Sequence, residues 1–426
     1  MNILKNKHIL FYQWNAYNLS DTRWALEQKG FTVTMLTEPI ANPEEDTEYV
    51  HELTQRLSVE ACDFVFSLNY FPVLAESCHQ TDIPYVCWNC DGSLLAMYHT
   101  SIFYPTNVIF TFDYKNFREF QELGVKNIYH LPLAVNTHRL ERQLSSIPSR
   151  GNESPGEVGH RYPVSFVGSL YEHSAFRDIE DSLPDYLAGY LRGTIHAQKL
   201  VSGGNMLELL LTEDIVAALE ELSSYHKSDQ SFAGVKQLFA TTILGFQVAH
   251  EERTENLNAL AEHLAGLPRK QDDSEGEKPR ETMGQSPAVH LFTGSQGIKL
   301  PLVALHPPVD YFREMPAIFR QSDINLNMTI PNITTGIPLR VWDILGCGGF
   351  LLSNYQPEFD NYFDLGTHLD IFEEPGELLE KTEFYLRHET LRQKIAEKGQ
   401  ALVAREHNYL TRIEQLLKIL NELSIL

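Results

Sequence analysis

Short apolar runs return along this chain, each bounded by a turn and followed by a stretch with helical spacing, and that alternation constrains the fold more than any other feature. "HILFYQW" leads into "DTRWALEQKG", whose apolar residues share a helix face and which Gly30 closes, and the alternating run "FTVTML" follows. "DFVFSL", "PYVCWN", "NVIFTF" and "NIYHLPL" extend the series. Runs that are apolar on both faces belong to a parallel sheet covered by helices. Residues 1–150 are therefore expected to form one doubly wound domain.

The stretch "SSIPSRGNESPGEVGHRYP" lacks apolar periodicity and reads as a linker. A second domain, 151–410, then begins with "VSFVGSL", which runs into a glycine turn. Residues 178 to about 264 have mainly helical spacing, and the charged segment at about 267–288 reads as a mobile loop. Strand and helix patterns resume with "AVHLFTG", "LVALHP", "YFREMPAIFRQ", "INLNM" and "GFLLSN", and a last helix occupies 411–426. A chain of 426 residues exceeds what one apolar core supports, which agrees with two domains. The fold class is α/β, two Rossmann-like doubly wound domains, with the ligand site expected in the cleft at the carboxyl ends of their strands.

A formal net charge of -23 disfavours nucleic acid and anionic membrane surfaces, whose binding begins with cationic side chains. No apolar stretch reaches the roughly 18 residues of a membrane span, and Met1 to Phe11 lacks the pattern of a secretory leader. An odd cysteine count of 5 in a chain of this length indicates free thiols and a cytoplasmic location. Cys87 and Cys90 have no second pair with which to hold zinc. Neither a Gly-x-Gly-x-x-Gly loop after the first strand nor a phosphate-loop lysine motif is present, which removes support for dinucleotide oxidoreductases and NTPases.

The segment "TTGIPLRVWDILGCGGFLLSN", Thr334 to Asn354, carries one arginine and one aspartate among apolar residues. It starts a helix near Gly336 to Leu339, where unpaired amides and partial positive charge favour an anion. Arg340 in the first turn adds a planar fork of donors suited to phosphate oxygens, and Asp343, one turn deeper on nearly the same face, suits a vicinal diol such as ribose. Spacing alone equally allows Arg340 and Asp343 to be a solvated pair.

"SDINLNMT", "GIPLRVWDILGCGGFLLSN", "PEFDNYFDLGTHLDIFEEPGELLEKTEFYL" and "IAEKGQALV" resemble the C-terminal domain of family 1-type glycosyltransferases of the CgeB spore-maturation group. "FYQWNAYNLSDTRWALEQKGFTV" and "SLNYFPVLAESCHQTDIPYVCWNCDGS" resemble the domain of unknown function that precedes it in bacterial members. The resemblance leaves 178–290 poorly covered. It implies the GT-B fold, a nucleotide-diphosphate sugar as donor (a UDP-sugar first), no metal and no other cofactor, and a final helix that crosses back onto the first domain. It further implies that Gly168, Ser169, Gly336, Ile337 and Arg340 hold the diphosphate, Asp343 the ribose, and His306 and Val309 the base, with Asn15 and Asp21 on the acceptor side. Two departures stand out. Thr335 occupies the first position of a paired-glutamate pattern common in this fold, and "WNCDGS" replaces the Trp-x-x-Asp-Ser-Pro frequent in relatives.

Transfer by inversion needs a base near the acceptor hydroxyl. Asp91, past the strand "PYVCW" and beside Gly92, is the first candidate, with a turn aspartate as the plainer alternative. His99 and His130 follow. Asp21 is equally an N-cap for a helix starting at Thr22. The expected activity is sugar transfer to an acceptor hydroxyl on a surface polysaccharide, a glycolipid precursor, or a surface or spore protein. A noncatalytic subunit that binds a partner glycosyltransferase, and a nucleotide-sugar epimerase or hydrolase, are the rivals. Association with copies of itself stays open.

Overall fold

The computed structural model describes residues 7–145, 162–222, 228–267 and 287–426. Most of the expected linker, 146–161 of 145–163, and most of the expected charged loop, 268–286, lie outside the described residues, and the linker's last residues, Tyr162 and Pro163, instead open a strand. β1 (His8–Tyr12), β2 (Thr32–Leu36), β3 (Phe64–Leu68), β4 (Tyr85–Asn89), β5 (Asn107–Thr111) and β6 (Ile128–His130) form a parallel sheet in the order β2-β1-β3-β4-β5-β6. β3, β4 and β5 are buried at every residue, which is why their sequences carry no polar alternation.

The second sheet contains β7 (Tyr162–Val167), β8 (Val289–Phe292), β9 (Val303–His306), β10 (Ser322–Asn327), β11 (Leu351–Asn354) and β12 (Asp370–Phe372). It is also parallel, in the order β12-β11-β10-β7-β8-β9. The two Rossmann-like, doubly wound units expected from the sequence are thus present. Strand order reverses between β1 and β3 in one sheet and between β7 and β10 in the other, and such reversals open ligand crevices.

The helix after β1 begins at Leu19 rather than Thr22, with Asn18 at its N-cap, so Asp21 lies inside the first turn and does not cap it. Gly30 adopts a φ of 101°, the left-handed region that lets the chain leave this helix for β2. Between β7 and β8 the helices Asp185–Gln198, Glu213–Leu222 and Leu244–Gly266 pack around Leu191, Ile195, Leu219, Leu244 and Val248. This helical insert has an apolar core of its own.

The domains are fused by apolar packing. Trp88 and Val135 of the first sheet's side share one cluster with Ile337, Val341 and Trp342 of the second, and with Tyr409, Ile413, Leu416 and Leu420 of the last helix, Tyr409–Glu422. Arg412 Nε donates to the carbonyl oxygens of Pro132 at 3.0 Å and Leu133 at 3.3 Å, fixing that helix on the first domain. Loops at the carboxyl ends of both sheets also meet. A Cβ on Gly336 would stand 2.9 Å from Cδ2 of Phe112, and one on Gly92 would stand 2.7 Å from Cγ1 of Ile333. Only glycine allows either approach.

Candidate active site

A cleft of about 790 Å³ opens at the β7/β10 reversal, within the roughly 300–1,000 Å³ of small-molecule sites. Gly168 and Ser169 after β7, Met328 to Ile330 after β10, and Thr293, Gly294, Pro308 and Val309 after β8 and β9 line it, with Tyr17 of the first domain, 66% exposed, at its edge. Arg340 reaches it from the start of helix Leu339–Gly346. Its guanidinium meets Met315 Sδ and lies 5.4 Å from the centre of the Phe319 ring, and no carboxylate among the described residues pairs with it.

Arg253, from the middle of helix Leu244–Gly266, is the second cation of this cleft. It donates to the carbonyl oxygens of Ser169, at 2.7 Å, and Met328, so it bridges the ends of β7 and β10. It also stacks between Phe166 and Tyr171, 5.3 and 5.0 Å from their ring centres. Burial pushes its pKa down, and the neighbouring Arg340 charge pushes it the same way. Tyr171 holds a φ of 52°, an uncommon conformation for a bulky residue, and stacks on Phe246 at 4.9 Å in the cleft wall. Two guanidiniums that pair with no carboxylate among the described residues, in a chain of net charge -23, have the chemistry to hold an anionic ligand.

Of the residues expected to hold the donor, Gly168, Ser169, Arg340 and Val309 come together in this cleft. Gly336 and Ile337 do not line it: Gly336 packs on Phe112 and Asp113, and Ile337 is buried in the cluster between domains. His306 ends β9 outside the lining, stacked 4.4 Å from the Phe292 ring and 2.9 Å from His290 Nδ1. Asp343 is 5% exposed beneath the cleft, where Tyr311 Oη donates to its Oδ1 at 2.8 Å. Burial pushes its pKa up to about 6, against the opposing pull of Arg340 and the Tyr311 bond. It makes no ion pair with Arg340, so the solvated-pair alternative does not describe it.

On the first domain, Asn15 is exposed in the loop after β1. Asp21, 2% exposed, accepts from Arg139 Nη2 at 2.8 Å and from Asn136 Nδ2 at 2.9 Å. Arg139 in turn lies 5.6 Å from the Tyr311 ring, which carries this buried pair to Asp343. His99, 3% exposed, caps the short helix Thr100–Phe103 and bonds Ser101 Oγ at 2.8 Å, outside the cleft lining. Burial lowers its pKa. His130 Nε2 is held 3.0 Å from Glu358.

Asp91 lies in the turn after β4, outside the cleft lining. Asn69, itself at a φ of 64°, donates to Asp91 Oδ2 at 2.7 Å and accepts from the Cys90 amide at 2.8 Å, fixing the turn. The carboxyl is open to solvent at its rim but surrounded by protein, and that desolvation pushes its pKa above the usual carboxylate range while Asn69 opposes the shift. The same turn meets the second domain through Ser93 Oγ, which donates to the Asn332 carbonyl at 2.9 Å, beside the cleft residue Ile333. Thr335 is tied to the first domain: its Oγ1 donates to Asp113 at 2.9 Å and its amide to the same carboxylate at 3.1 Å.

Sequence reasoning missed Arg253 because the helical insert offered no motif. The only trace in the sequence is an arginine among Glu251, Glu252 and Glu255, which suggests surface ion pairs rather than a ligand. Among the described residues no group of three or more His, Cys, Asp or Glu could hold a metal ion, and no helix is long and apolar enough to cross a membrane.

Residues 289–418 match the family described as "Glycosyl transferase-like". No curated protein matches the chain. Its fold is similar to that of HepE from Anabaena in complex with UDP and glucose, with a TM-score of 0.53 and 11% identity over 98% of this chain and 100% of that one. HepE in complex with UDP-glucose gives a TM-score of 0.51 at 11% identity, covering 98% and 100%. Sucrose-phosphate synthase from Thermosynechococcus elongatus gives 0.53 at 9% identity, covering 98% and 99%. The architecture is therefore GT-B.

Proposed function

We propose that this chain is a glycosyltransferase of the CgeB-like type that moves a sugar from a nucleoside-diphosphate donor, UDP-sugar first, to an acceptor hydroxyl in the cytoplasm. The observation that carries the reading is the pair Arg253 and Arg340, two guanidiniums that pair with no carboxylate among the described residues and face one cleft at the β7/β10 reversal. The match of 289–418 to a glycosyl transferase-like family supports it, and so does the fold shared with HepE, which was solved with UDP and with UDP-glucose.

In this reading the base lies against Thr293, Gly294 and Val309, and the diphosphate between the Gly168–Ser169 turn and the two arginines. As the bond from the anomeric carbon to the phosphate oxygen breaks, charge builds on the leaving diphosphate, and fixed guanidiniums neutralise it without reorganising. The acceptor oxygen bonds the anomeric carbon, and its proton passes to Asp91, whose raised pKa makes it a stronger base than an ordinary carboxylate. No residue in this scheme calls for a metal. The acceptor is a surface polysaccharide, a glycolipid precursor, or a surface or spore protein.

Calorimetric titration of the folded protein with UDP, GDP and TDP and their sugars, with and without EDTA, tests the donor. We expect saturable, EDTA-insensitive binding of one nucleotide. No binding across the panel would refute the transferase reading and favour a noncatalytic subunit. Consumption of the donor without any acceptor would favour an epimerase or hydrolase.

A further inference from the structure

Beside the nucleotide cleft lies a second, smaller chamber of about 90 Å³. The segment Met328–Ile330, with Ile333, lines both cavities, which adjoin along it. The helical insert braces this segment: Asn205 Nδ2 donates to the Pro331 carbonyl at 2.8 Å, and Asn332 Nδ2 to the Thr241 carbonyl at 2.8 Å. The chamber's other walls are Glu252 and Asn256 of the insert and Asn354 and Gln356 after β11.

Strand order gives the two cavities a direction. Across the sheet the carboxyl ends run β9, β8, β7, β10, β11, β12. The base site lies at β9 and β8, the two arginines act at β7 and β10, and the chamber lies at β10, β11 and β12. Neighbouring strands stand about 4.8 Å apart, so the chamber begins one strand step beyond the phosphates, the reach of a single sugar ring. A donor laid along this edge puts its sugar there.

The lining suits hydroxyl groups. Among the described residues, the Glu252 side chain makes no hydrogen bond or ion pair, although it lies one residue before Arg253 on the same helix. Burial pushes its pKa up to about 7, with Arg253 and Lys199 opposing. Gln356 is 4% exposed, and its Oε1 has no hydrogen-bond partner. A buried acceptor left unpaired, as Gln356 Oε1 is, is costly unless a ligand completes it. Glu255, Glu373 and Glu374 add negative charge, and the lysine present, Lys199, is engaged by Glu251 at 3.1 Å and by Glu255.

We propose that this chamber is the donor-sugar subsite, with Glu252 bonding sugar hydroxyls, and that its acidic walls select neutral hexoses over uronates. The proposal rests on the donor reading given above. The glutamate contributed by the insert then serves where Thr335 leaves the expected sugar contact missing.

Calorimetry on the parent, E252Q and E252A tests it with three ligands: the free nucleotide that binds, its neutral hexose conjugate, and its uronate conjugate (UDP-glucose against UDP-glucuronate, GDP-mannose against GDP-mannuronate). E252A should weaken the hexose conjugate at least fivefold and leave the free nucleotide within twofold, and E252Q should lie between. The parent should bind the uronate at least tenfold more weakly than the hexose, a comparison that needs no variant to fold. Equal losses for nucleotide and conjugate, no loss for either, or equal binding of hexose and uronate would overturn the subsite alone. A folded parent that binds no nucleotide would overturn the donor reading and the subsite with it.

Discussion

Asp343→Asn should stabilise the protein, and the gain should grow with pH. The Asp343 carboxyl titrates at about 6 in the folded chain because burial penalises its charge. An unfolded aspartate titrates near 3.9, so ionising the buried group costs about 3 kcal/mol of folding free energy at pH 8. A raised acid pKa means that the folded state holds its proton longer. The cost is therefore nearly absent below pH 4, rises through the window between the two pKa values, and is complete above about pH 7. Asparagine keeps an oxygen to accept from Tyr311 Oη and carries no charge. Denaturation of parent and variant should show a stability gap of about 1 kcal/mol at pH 4.5 that widens to about 3 kcal/mol at pH 8. A gap that stays constant, or that closes as pH rises, would refute the assignment of a buried, destabilising charge. Nucleotide affinity of the same variant separates two roles. An unchanged value fits a carboxylate engaged behind Tyr311, whereas a tenfold loss would place the ribose on Asp343.

Arg340→Ala should weaken nucleotide binding by about 1.5–3 kcal/mol, a charged hydrogen bond to phosphate, with little change in fold, whereas Arg253→Ala should weaken it by a similar amount and also lower the melting temperature, because Arg253 bridges the Ser169 and Met328 carbonyls; titration calorimetry on the folded variants reads the affinities, and an unchanged value would remove that arginine from the seat. Asp91→Asn should keep donor binding while sugar transfer falls at least a hundredfold, and full turnover by the variant would take Asp91 off the catalytic list. Gly336→Ala would place a methyl 2.9 Å from the Phe112 ring and 3.0 Å from the Asp113 Cα, wedging the two domains, and should cost about 1–3 kcal/mol in a thermal melt.

Most of the sheet architecture was legible because parallel strands covered on both faces leave uninterrupted apolar runs. β12 escaped because three residues, Asp370–Phe372, are too short a run to stand out beside the polar groups around them. The site was legible only where function depends on local spacing. Arg340, in the first turn of its helix, faces the cleft as its position suggests. Asp343 shares that helix but is covered by Tyr311, which comes from another segment, and no spacing rule on one helix reveals what covers it. Asp21 read as a cap or an acceptor contact, whereas its partner Arg139 lies 118 residues away. Arg253 depends on the carbonyls of Ser169 and Met328, 84 and 75 positions distant, so only the folded chain brings it to the cleft.

The return of the last helix onto the first domain bears on how the chain reaches its native state. Arg412 binds carbonyls 280 and 279 positions earlier, and Ile413, Leu416 and Leu420 close an apolar face that Trp88 and Val135 present. Until that helix arrives, the first domain carries an uncovered greasy flank through the synthesis of the entire second domain. Contacts of such long sequence separation form late and slowly, and waiting surfaces of this kind aggregate. The nascent chain is therefore most in need of a chaperone until Tyr409–Glu422 has been made and docked.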